Sequence, residues 1–226
     1  MENMNNTQNE EVVVVKKRKK KFSKITSLSL ILATLLFCVG IVIVFNQYFL
    51  SYDTSNRMQA QINHDKKMVE KKPNDPGARV QLGYAFYLNG DNQEAIEQFN
   101  TAIKLDKNYY PAFLNLATVY DAQKKYNLAL ENATKAAKLN EKDARPLLIK
   151  GRAYYNLKLY QKAVNTLIEA DKLSKANTDI VYELGKAIEA VGNKETALAT
   201  YKEALLYNPT YKPALKAVER LEKKGK

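Results

Sequence analysis

The chain lacks the side chains from which metal and redox sites are usually built. Its 226 residues include a single cysteine, Cys38, and a single histidine, His64. One cysteine cannot close a disulfide within the chain, and these two residues cannot supply the four ligands of a structural zinc site. The sequence therefore predicts no metal site, and His64 is expected to be an ordinary surface residue.

Motifs of catalysis are missing as well. The eight glycines form no phosphate-binding loop of the P-loop or dinucleotide type, and no HExxH, GxSxG or CxxC motif occurs. We therefore expect no enzymatic activity, no cofactor and no small-molecule substrate. The composition, with 46% hydrophobic and 27% charged residues, is that of a globular chain. A net charge of +12 permits attraction to acidic surfaces without identifying one.

No charged residue interrupts the stretch 25–45, which reads ITSLSLILATLLFCVGIVIVF. A helix with a rise of about 1.5 Å per residue would carry this stretch across about 30 Å, the thickness of the apolar core of a bilayer. Six consecutive basic residues at 16–21 precede it. The positive-inside rule then predicts a cytoplasmic basic tail at 1–24 and a transmembrane signal-anchor helix at 25–45. The rest of the chain would lie outside the cytoplasm, at a bacterial inner or plasma membrane.

Three other interpretations of the apolar stretch are open. A buried core helix would ordinarily keep a polar face, which this stretch lacks over six turns. A cleaved signal peptide would usually have a shorter apolar region and small residues at the cleavage site, whereas this stretch is followed by NQYFLSYDT. A lipid-modified Cys38 is disfavoured because the bulky Phe37 precedes it. Cys38 is expected to be an apolar side chain within the membrane.

A pattern recurs every 34 residues in the remainder of the chain. It begins at Leu82-Gly83 and has an aromatic or apolar residue three positions later. Two columns of alanine follow in each period, namely Ala95, Ala129, Ala163 and Ala197, and then Ala102, Ala136, Ala170 and Ala204. Turn signals such as Asn89-Gly90-Asp91 separate two helical segments within a period. Each period therefore predicts a helical hairpin whose small residues allow close packing.

The 34-residue period resembles the tetratricopeptide repeat (TPR), whose unit reads W-x₂-L-G-x₂-Y…A-x₃-F…P. The resemblance covers 76–211 as four units, which are 76–109, 110–143, 144–177 and 178–211. It departs from the family at the Trp position, which holds Arg79, Phe113, Leu147 and Val181, and at Lys150, which replaces the usual Leu. The resemblance implies an all-α fold, in which helix-turn-helix units stack into an α-solenoid because one unit cannot bury its apolar face alone.

Two further segments flank the four units. Residues 46–75 are predicted to form a linker helix, because MVEKKPND at 68–75 matches the end of a preceding unit. Residues 212–226 are predicted to form a C-terminal capping helix. Its apolar residues Leu215, Val218 and Leu221 recur every three positions and leave a charged outer face.

The resemblance also implies a ligand. In TPR proteins a concave groove, lined by the first helix of each unit, holds a protein or peptide. The groove positions, carried over to this chain, hold Val80, Tyr84, Tyr87, Leu114, Thr118, Arg145, Leu148, Arg152, Tyr155, Tyr182 and Lys186. These residues predict an apolar and aromatic groove with Arg145, Arg152 and Lys186 towards one end. Such a groove suits a peptide or helix with apolar anchors and one acidic group.

The function expected from these features is that of a membrane-anchored adaptor or scaffold. Its two partners would be a protein held in the groove and the lipid bilayer around 25–45. The predicted topology favours a role in assembly, secretion or maturation of envelope proteins. One alternative is a cytoplasm-facing receptor that recruits soluble partners, and another is a self-assembling structural array. Nucleic-acid binding is not expected, because most of the repeat tyrosines fall at core positions.

Overall fold

The computed structural model describes the backbone of residues 24–224 and the side chains of residues 32–45, 47 and 55–223. The predicted cytoplasmic tail lies outside the described residues, apart from the backbone of Lys24. The described part contains ten α-helices: α1 (Lys24–Lys71), α2 (Pro76–Asn89), α3 (Asn92–Leu105), α4 (Tyr110–Ala122), α5 (Tyr126–Leu139), α6 (Ala144–Asn156), α7 (Tyr160–Leu173), α8 (Thr178–Val191), α9 (Lys194–Tyr207) and α10 (Lys212–Lys224). No strand occurs in it, which confirms the all-α prediction.

The helices α2 to α9 form four consecutive hairpins. The first helices of these hairpins start at Pro76, Tyr110, Ala144 and Thr178, which are the residues at which the 34-residue units begin. Each helix packs against the next along the chain, and α4 also touches α2 and α6, as α6 touches α8. The first helices therefore form one continuous layer, which positions the candidate site described below.

Small residues allow the two helices of a hairpin to touch. All eight alanines of the two columns are fully buried. A glycine in the first helix faces a large residue in the second in three hairpins, where Gly83 meets Phe99, Gly151 meets Leu167 and Gly185 meets Tyr201. Added Cβ atoms at these glycines would lie 2.5–2.7 Å from the facing side chain. In these three hairpins, the glycine of the repeat is thus a requirement of close helix contact.

Side chains also fix where the first helices begin. The carboxylate of Asp75 accepts hydrogen bonds from the backbone N–H groups of Gly77 and Ala78 at the start of α2. Asp143 and Asn177 cap α6 and α8 in the same way. Because a cap satisfies N–H groups that have no partner within the helix, each contributes roughly 1 kcal/mol.

The chain divides into two units, Met1–Asp53 and Thr54–Lys226. In the first unit, the large apolar side chains between Leu32 and Phe45 are 53–70% exposed. The sequence predicts a transmembrane helix over 25–45, and the side chains of 25–31 lie outside the described set. Among the described residues, no helix combines the length and the apolar character needed to cross a membrane.

In the second unit, the last turns of α1 pack against the first hairpin. Ile62 and Val69 are buried in the same apolar cluster as Leu82 of α2. Asp65 is 1% exposed, and its carboxylate accepts hydrogen bonds from the side-chain amides of Gln61 and Gln81 at 3.0–3.1 Å. This part of α1 therefore takes the place of the second helix of a preceding hairpin, within the segment predicted as a linker helix.

Candidate functional site

The candidate site is the surface formed by the first helices of the four hairpins, α2, α4, α6 and α8, together with α10, and we call it the inner face. Most of the predicted groove residues have accessible side chains on these helices. Tyr84, Arg145 and Arg152 are exposed, and seven are partly exposed, namely Val80, Tyr87, Thr118, Leu148, Tyr155, Tyr182 and Lys186. Leu114 differs, because it is only 8% exposed and lies in a buried cluster with Ile149 and Ala153 of α6. Its side chain is part of the core.

One opening on the inner face is the α8–α10 cavity, of about 680 Å³. It brings together three of the predicted groove residues, Tyr155, Tyr182 and Lys186. Its remaining lining comes from α8, α9 and α10, as Glu189, Ala190, Tyr201, Lys212, Pro213, Lys216, Ala217 and Arg220. Aromatic rings and cations from successive helices therefore face one open space.

Lys186 joins the polar and aromatic parts of this cavity. Its ammonium lies 2.6 Å from an oxygen of Glu183, and 4.6 Å and 5.7 Å from the ring centres of Tyr155 and Tyr182. A cation over an aromatic face is attracted by the negative face of the ring. The position of Lys186 is therefore set by contacts within the protein, and its charge is partly compensated there.

Tyr182 stands at the centre of an aromatic group. Its ring centre lies 5.4 Å from that of Tyr211 in an edge-on contact, and 5.7 Å from that of Tyr201. Burial raises the pKa of Tyr182, and burial together with a hydrogen bond to Glu189 raises the pKa of Tyr201. Both hydroxyls therefore stay protonated at neutral pH, so these two tyrosines add no charge to the cavity wall.

An alternating row of charges connects this cavity to a second one. The guanidinium of Arg152 lies 3.5 Å from a carboxylate oxygen of Asp121 and 3.5 Å from one of Glu183. Burial raises the pKa of Asp121, and the positive charge of Arg152 opposes that shift. The charges along this row largely compensate one another.

The second opening, the α4–α6 cavity, has a volume of about 380 Å³. It brings together three other predicted groove residues, Tyr87, Thr118 and Arg152. Its remaining lining residues are Asp121, Ala122, Lys124, Tyr126 and Asn156. Arg152 thus lines the α4–α6 cavity while pairing with Glu183 of α8, a helix that lines the α8–α10 cavity.

Arg145 does not join Arg152 and Lys186. Its guanidinium pairs with Asp143, the residue that caps α6, at 2.6 Å. Arg145 and Leu148 line a separate opening of about 390 Å³ beside the connection that precedes α8. The sequence predicts Arg145, Arg152 and Lys186 towards one end of the groove, and the structure has Arg145 on a different opening from the other two, because Asp143 holds its side chain.

Sequence reasoning missed three cations of the α8–α10 cavity, Lys212, Lys216 and Arg220, because the segment was assigned to a capping helix. Arg220 forms a bidentate ion pair with Glu189, with N–O distances of 2.5 and 2.7 Å. The sequence nevertheless contains a signal for these cations. Lys212 follows Thr178 by one more period of 34, so Lys216 and Arg220 fall at the fifth and ninth positions, which are groove positions in the other units.

No metal site emerges from the described part of the chain, where no three His, Cys, Asp or Glu side chains are grouped so as to hold an ion. His64 is exposed on α1, and Cys38 is an exposed free cysteine within its apolar part. The chemistry available on the inner face is that of non-covalent binding by aromatic rings, cations and carboxylates.

Comparison with known proteins agrees with the helical architecture. A TPR repeat model matches residues 83–124, and a tetratricopeptide repeat model matches residues 114–177. The chain contains tetratricopeptide repeats. Their 34-residue spacing and helix-turn-helix units are those inferred from the sequence.

Relatives with an assigned function match only in part. The chain is 28% identical to BBSome complex member BBS4 of Bos taurus over 152 residues, which is 64% of this chain and 28% of the bovine protein. It therefore spans little more than a quarter of that relative. The match supports the presence of the repeat in this chain, and it does not extend to the function of the whole bovine protein.

Solved structures share the fold. The MamA fragment 41-end from Desulfovibrio magneticus RS-1 aligns with a TM-score of 0.63 and 23% identity, over 72% of this chain and 95% of that one. YrrB, described as a TPR protein with an unusual peptide-binding site, aligns with a TM-score of 0.62 and 22% identity. That alignment covers 74% of this chain and 86% of YrrB.

Proposed function

We propose that this protein is an adaptor that binds a segment of a partner protein on its inner face. Proteins with tetratricopeptide repeats mediate protein–protein interaction, and YrrB, which has the same fold, has a peptide-binding site. The observation that carries the proposal is the α8–α10 cavity, in which Tyr155, Tyr182 and Lys186 converge on one open space.

The chemistry of the inner face suits a peptide segment. Tyrosine and arginine are over-represented at the energetic centres of protein interfaces. Tyrosine buries a large area and loses little conformational freedom, because its side chain has only two rotatable torsions. At the other end of the inner face, Tyr84 and Leu88 of α2 are 47% and 52% exposed. A bound segment can therefore place apolar side chains against α2 and polar ones in the α8–α10 cavity.

We further propose that 25–45 anchors the protein in a membrane. The proposal is supported by the absence of charge from this stretch and by the exposure of its large apolar side chains between Leu32 and Phe45. The basic run at 16–21 favours an extracytoplasmic array, and a role in assembly, secretion or maturation of envelope proteins. Anchoring would raise the effective concentration of the inner face near membrane partners.

Site-directed photo-crosslinking in native membranes tests the binding function. A photoreactive amino acid replaces Tyr155 on the inner face, and a matched control replaces Lys138, which is exposed on α5. We expect a discrete crosslinked protein from position 155 and none from position 138. Equal products from both positions, or none from either, would show that the inner face is not the binding surface.

Cysteine labelling of intact cells tests the topology. Cys38 is replaced by serine, and a single cysteine is introduced at Lys138 in one variant and at Asn5 in another. A membrane-impermeant maleimide should label position 138 without permeabilisation, and position 5 only after it. The reverse pattern would support the cytoplasm-facing receptor, and retention of neither variant in carbonate-washed membranes would exclude the anchor.

A further inference from the structure

The cations of the α8–α10 cavity differ in whether a carboxylate of the protein already pairs with them. Lys186 is held by Glu183, and Arg220 is held by both oxygens of Glu189. Lys212 and Lys216 are both exposed and form no hydrogen bond or ion pair with any described residue. Two positive charges of the cavity wall therefore have no counter-charge within the described part of the chain.

Lys212 and Lys216 also repel each other. They lie four residues apart on α10, so they are neighbours on one face of the helix. A pair of like charges at this spacing destabilises a helix. An anionic group placed between them would remove this repulsion, so binding of carboxylates and folding of α10 favour each other.

The two cavities differ in charge. The lining of the α8–α10 cavity has four cations, Lys186, Lys212, Lys216 and Arg220, against the single carboxylate of Glu189. The lining of the α4–α6 cavity has only two cations, Lys124 and Arg152, against the carboxylate of Asp121, so its excess of positive charge is smaller. Arg152 lies within ion-pair distance of Asp121 and is also shared with Glu183. A charged segment is therefore selected at the α8–α10 cavity, which attracts acidic side chains and repels basic ones.

We infer that the partner segment is acidic and that at least two of its carboxylates dock on Lys212 and Lys216. The rings of Tyr155 and Tyr182, on the same cavity, provide contacts for an apolar or aromatic residue of the segment. This inference rests on the proposed function, because it names the chemistry of the protein segment that the inner face binds. A basic segment, a second copy of this cationic chain or an anionic lipid surface are the competing occupants.

Peptide selection with the full-length protein in detergent tests the inference. A random peptide library is panned against the wild type, against Lys212→Glu/Lys216→Glu, and against the control Lys67→Glu/Lys71→Glu. The control pair is exposed on α1, has the same spacing of four residues and undergoes the same change of charge. Neither residue of the control pair lines a described cavity.

We expect the wild type and the control to enrich peptides rich in Asp and Glu. A synthetic copy of an enriched peptide should bind Lys212→Glu/Lys216→Glu at least about tenfold more weakly, which corresponds to about 1.4 kcal/mol. Its affinity for the wild type should fall between about 50 mM and about 500 mM NaCl, because salt screens exposed charges. Circular dichroism should be unchanged in the variant, because both lysines are exposed.

Three results would overturn the inference. Enrichment without acidic residues would do so, as would acidic peptides that bind the variant as tightly as the wild type. Binding of anionic vesicles that depends on Lys212 and Lys216, without acidic peptides, would assign these lysines to lipid. If the crosslink from Tyr155 persists in any of these cases, the proposed function stands and only the acidic partner is wrong.

Discussion

Gly151 is the position where the packing of the array can be tested most sharply. It lies in α6 and faces Leu167 of α7, which is fully buried. A Cβ atom added at Gly151 would lie 2.5 Å from Cγ and 2.7 Å from Cδ2 of Leu167. Unbonded carbon atoms are in favourable contact at about 3.5–4.0 Å, so the change Gly151→Ala forces the two helices or the leucine side chain to move.

Two opposing effects set the magnitude of this change. Alanine is a better helix former than glycine, which favours the variant by about 0.5–1 kcal/mol. Overpacking of a tightly packed core costs about 1–3 kcal/mol. Because Cγ is a branch point and not the tip of a flexible chain, we expect the packing cost to prevail, with a net loss of about 0.5–2 kcal/mol. For a folded region of this size, the melting temperature falls by about 2–4 °C per kcal/mol.

The second hairpin shows how the clash can be relieved. There the glycine position holds Ala117, and the position that corresponds to Leu167 holds Ala133. Both alanines are fully buried, in one cluster. Leu167→Ala alone should cost about 2–5 kcal/mol because it leaves a cavity. The double variant Gly151→Ala/Leu167→Ala recreates the alanine pair, and should therefore lose less stability than the sum of the two single variants.

The assay is urea unfolding of the full-length protein in detergent, followed by far-ultraviolet circular dichroism. The four proteins of the double-mutant cycle give a coupling energy, which we expect at about 0.5–3 kcal/mol. Additivity within the experimental error would refute the reasoning, as would a Gly151→Ala variant more stable than the wild type. Either result would mean that the Gly151–Leu167 contact does not determine the spacing of α6 and α7.

Three further predictions concern local features of the array. The substitution Ala95→Asp places a charge at a fully buried position and should unfold the array, which circular dichroism would record as a loss of helical signal. Burial would raise the pKa of Asp143, but hydrogen bonds from Arg145 and Tyr110 outweigh it and lower the pKa from 3.8 to about 2. Because the pKa of Asp143 is lower in the folded protein than in the unfolded chain, the ionised carboxylate stabilises the fold above about pH 4, and this stabilisation is lost between about pH 4 and pH 2. The melting temperature of Asp143→Asn should therefore depend less on pH in this range than that of the wild type. Lys124→Gly should raise the stability by about 0.5–1 kcal/mol in urea unfolding, because Lys124 has φ of +60° where glycine is unstrained; an unchanged midpoint would contradict this.

The repeat architecture was accessible from the sequence because helix contact leaves a periodic requirement for small residues. A side chain larger than alanine at the column positions would separate the helices of a hairpin, so the alanine columns recur and are all buried. The turns were accessible for a similar reason. Gly90 and Gly192 adopt φ of +93° and +105° at the ends of α2 and α8, a conformation that glycine adopts without strain.

Details of the inner face were harder to predict from the sequence, because the position of a residue in the repeat does not determine how closely the neighbouring helix packs against it. Leu114 occupies such a position, yet it packs with Ile149 and Ala153 of the next first helix. The two arginines of α6 are equivalent in sequence terms but differ in their surroundings. Arg145 is beside the capping residue of its own helix, whereas Arg152 reaches carboxylates of α4 and α8.

The assignment of α10 shows why a helix can be misjudged from its composition alone. Its apolar residues Ala214, Ala217 and Leu221 are buried, and α10 packs against α9. A capping role is therefore enough to explain the apolar residues of this helix. A helix has a second face, however, and the 34-residue period places Lys216 and Arg220 on it. The contact of Arg220 with Glu189 joins that face to α8, and Lys212 and Lys216 then line a cavity with tyrosines of α6 and α8. Covering the core and lining the cavity are therefore compatible in one helix, because they use adjacent faces of α10 that meet at Ala217.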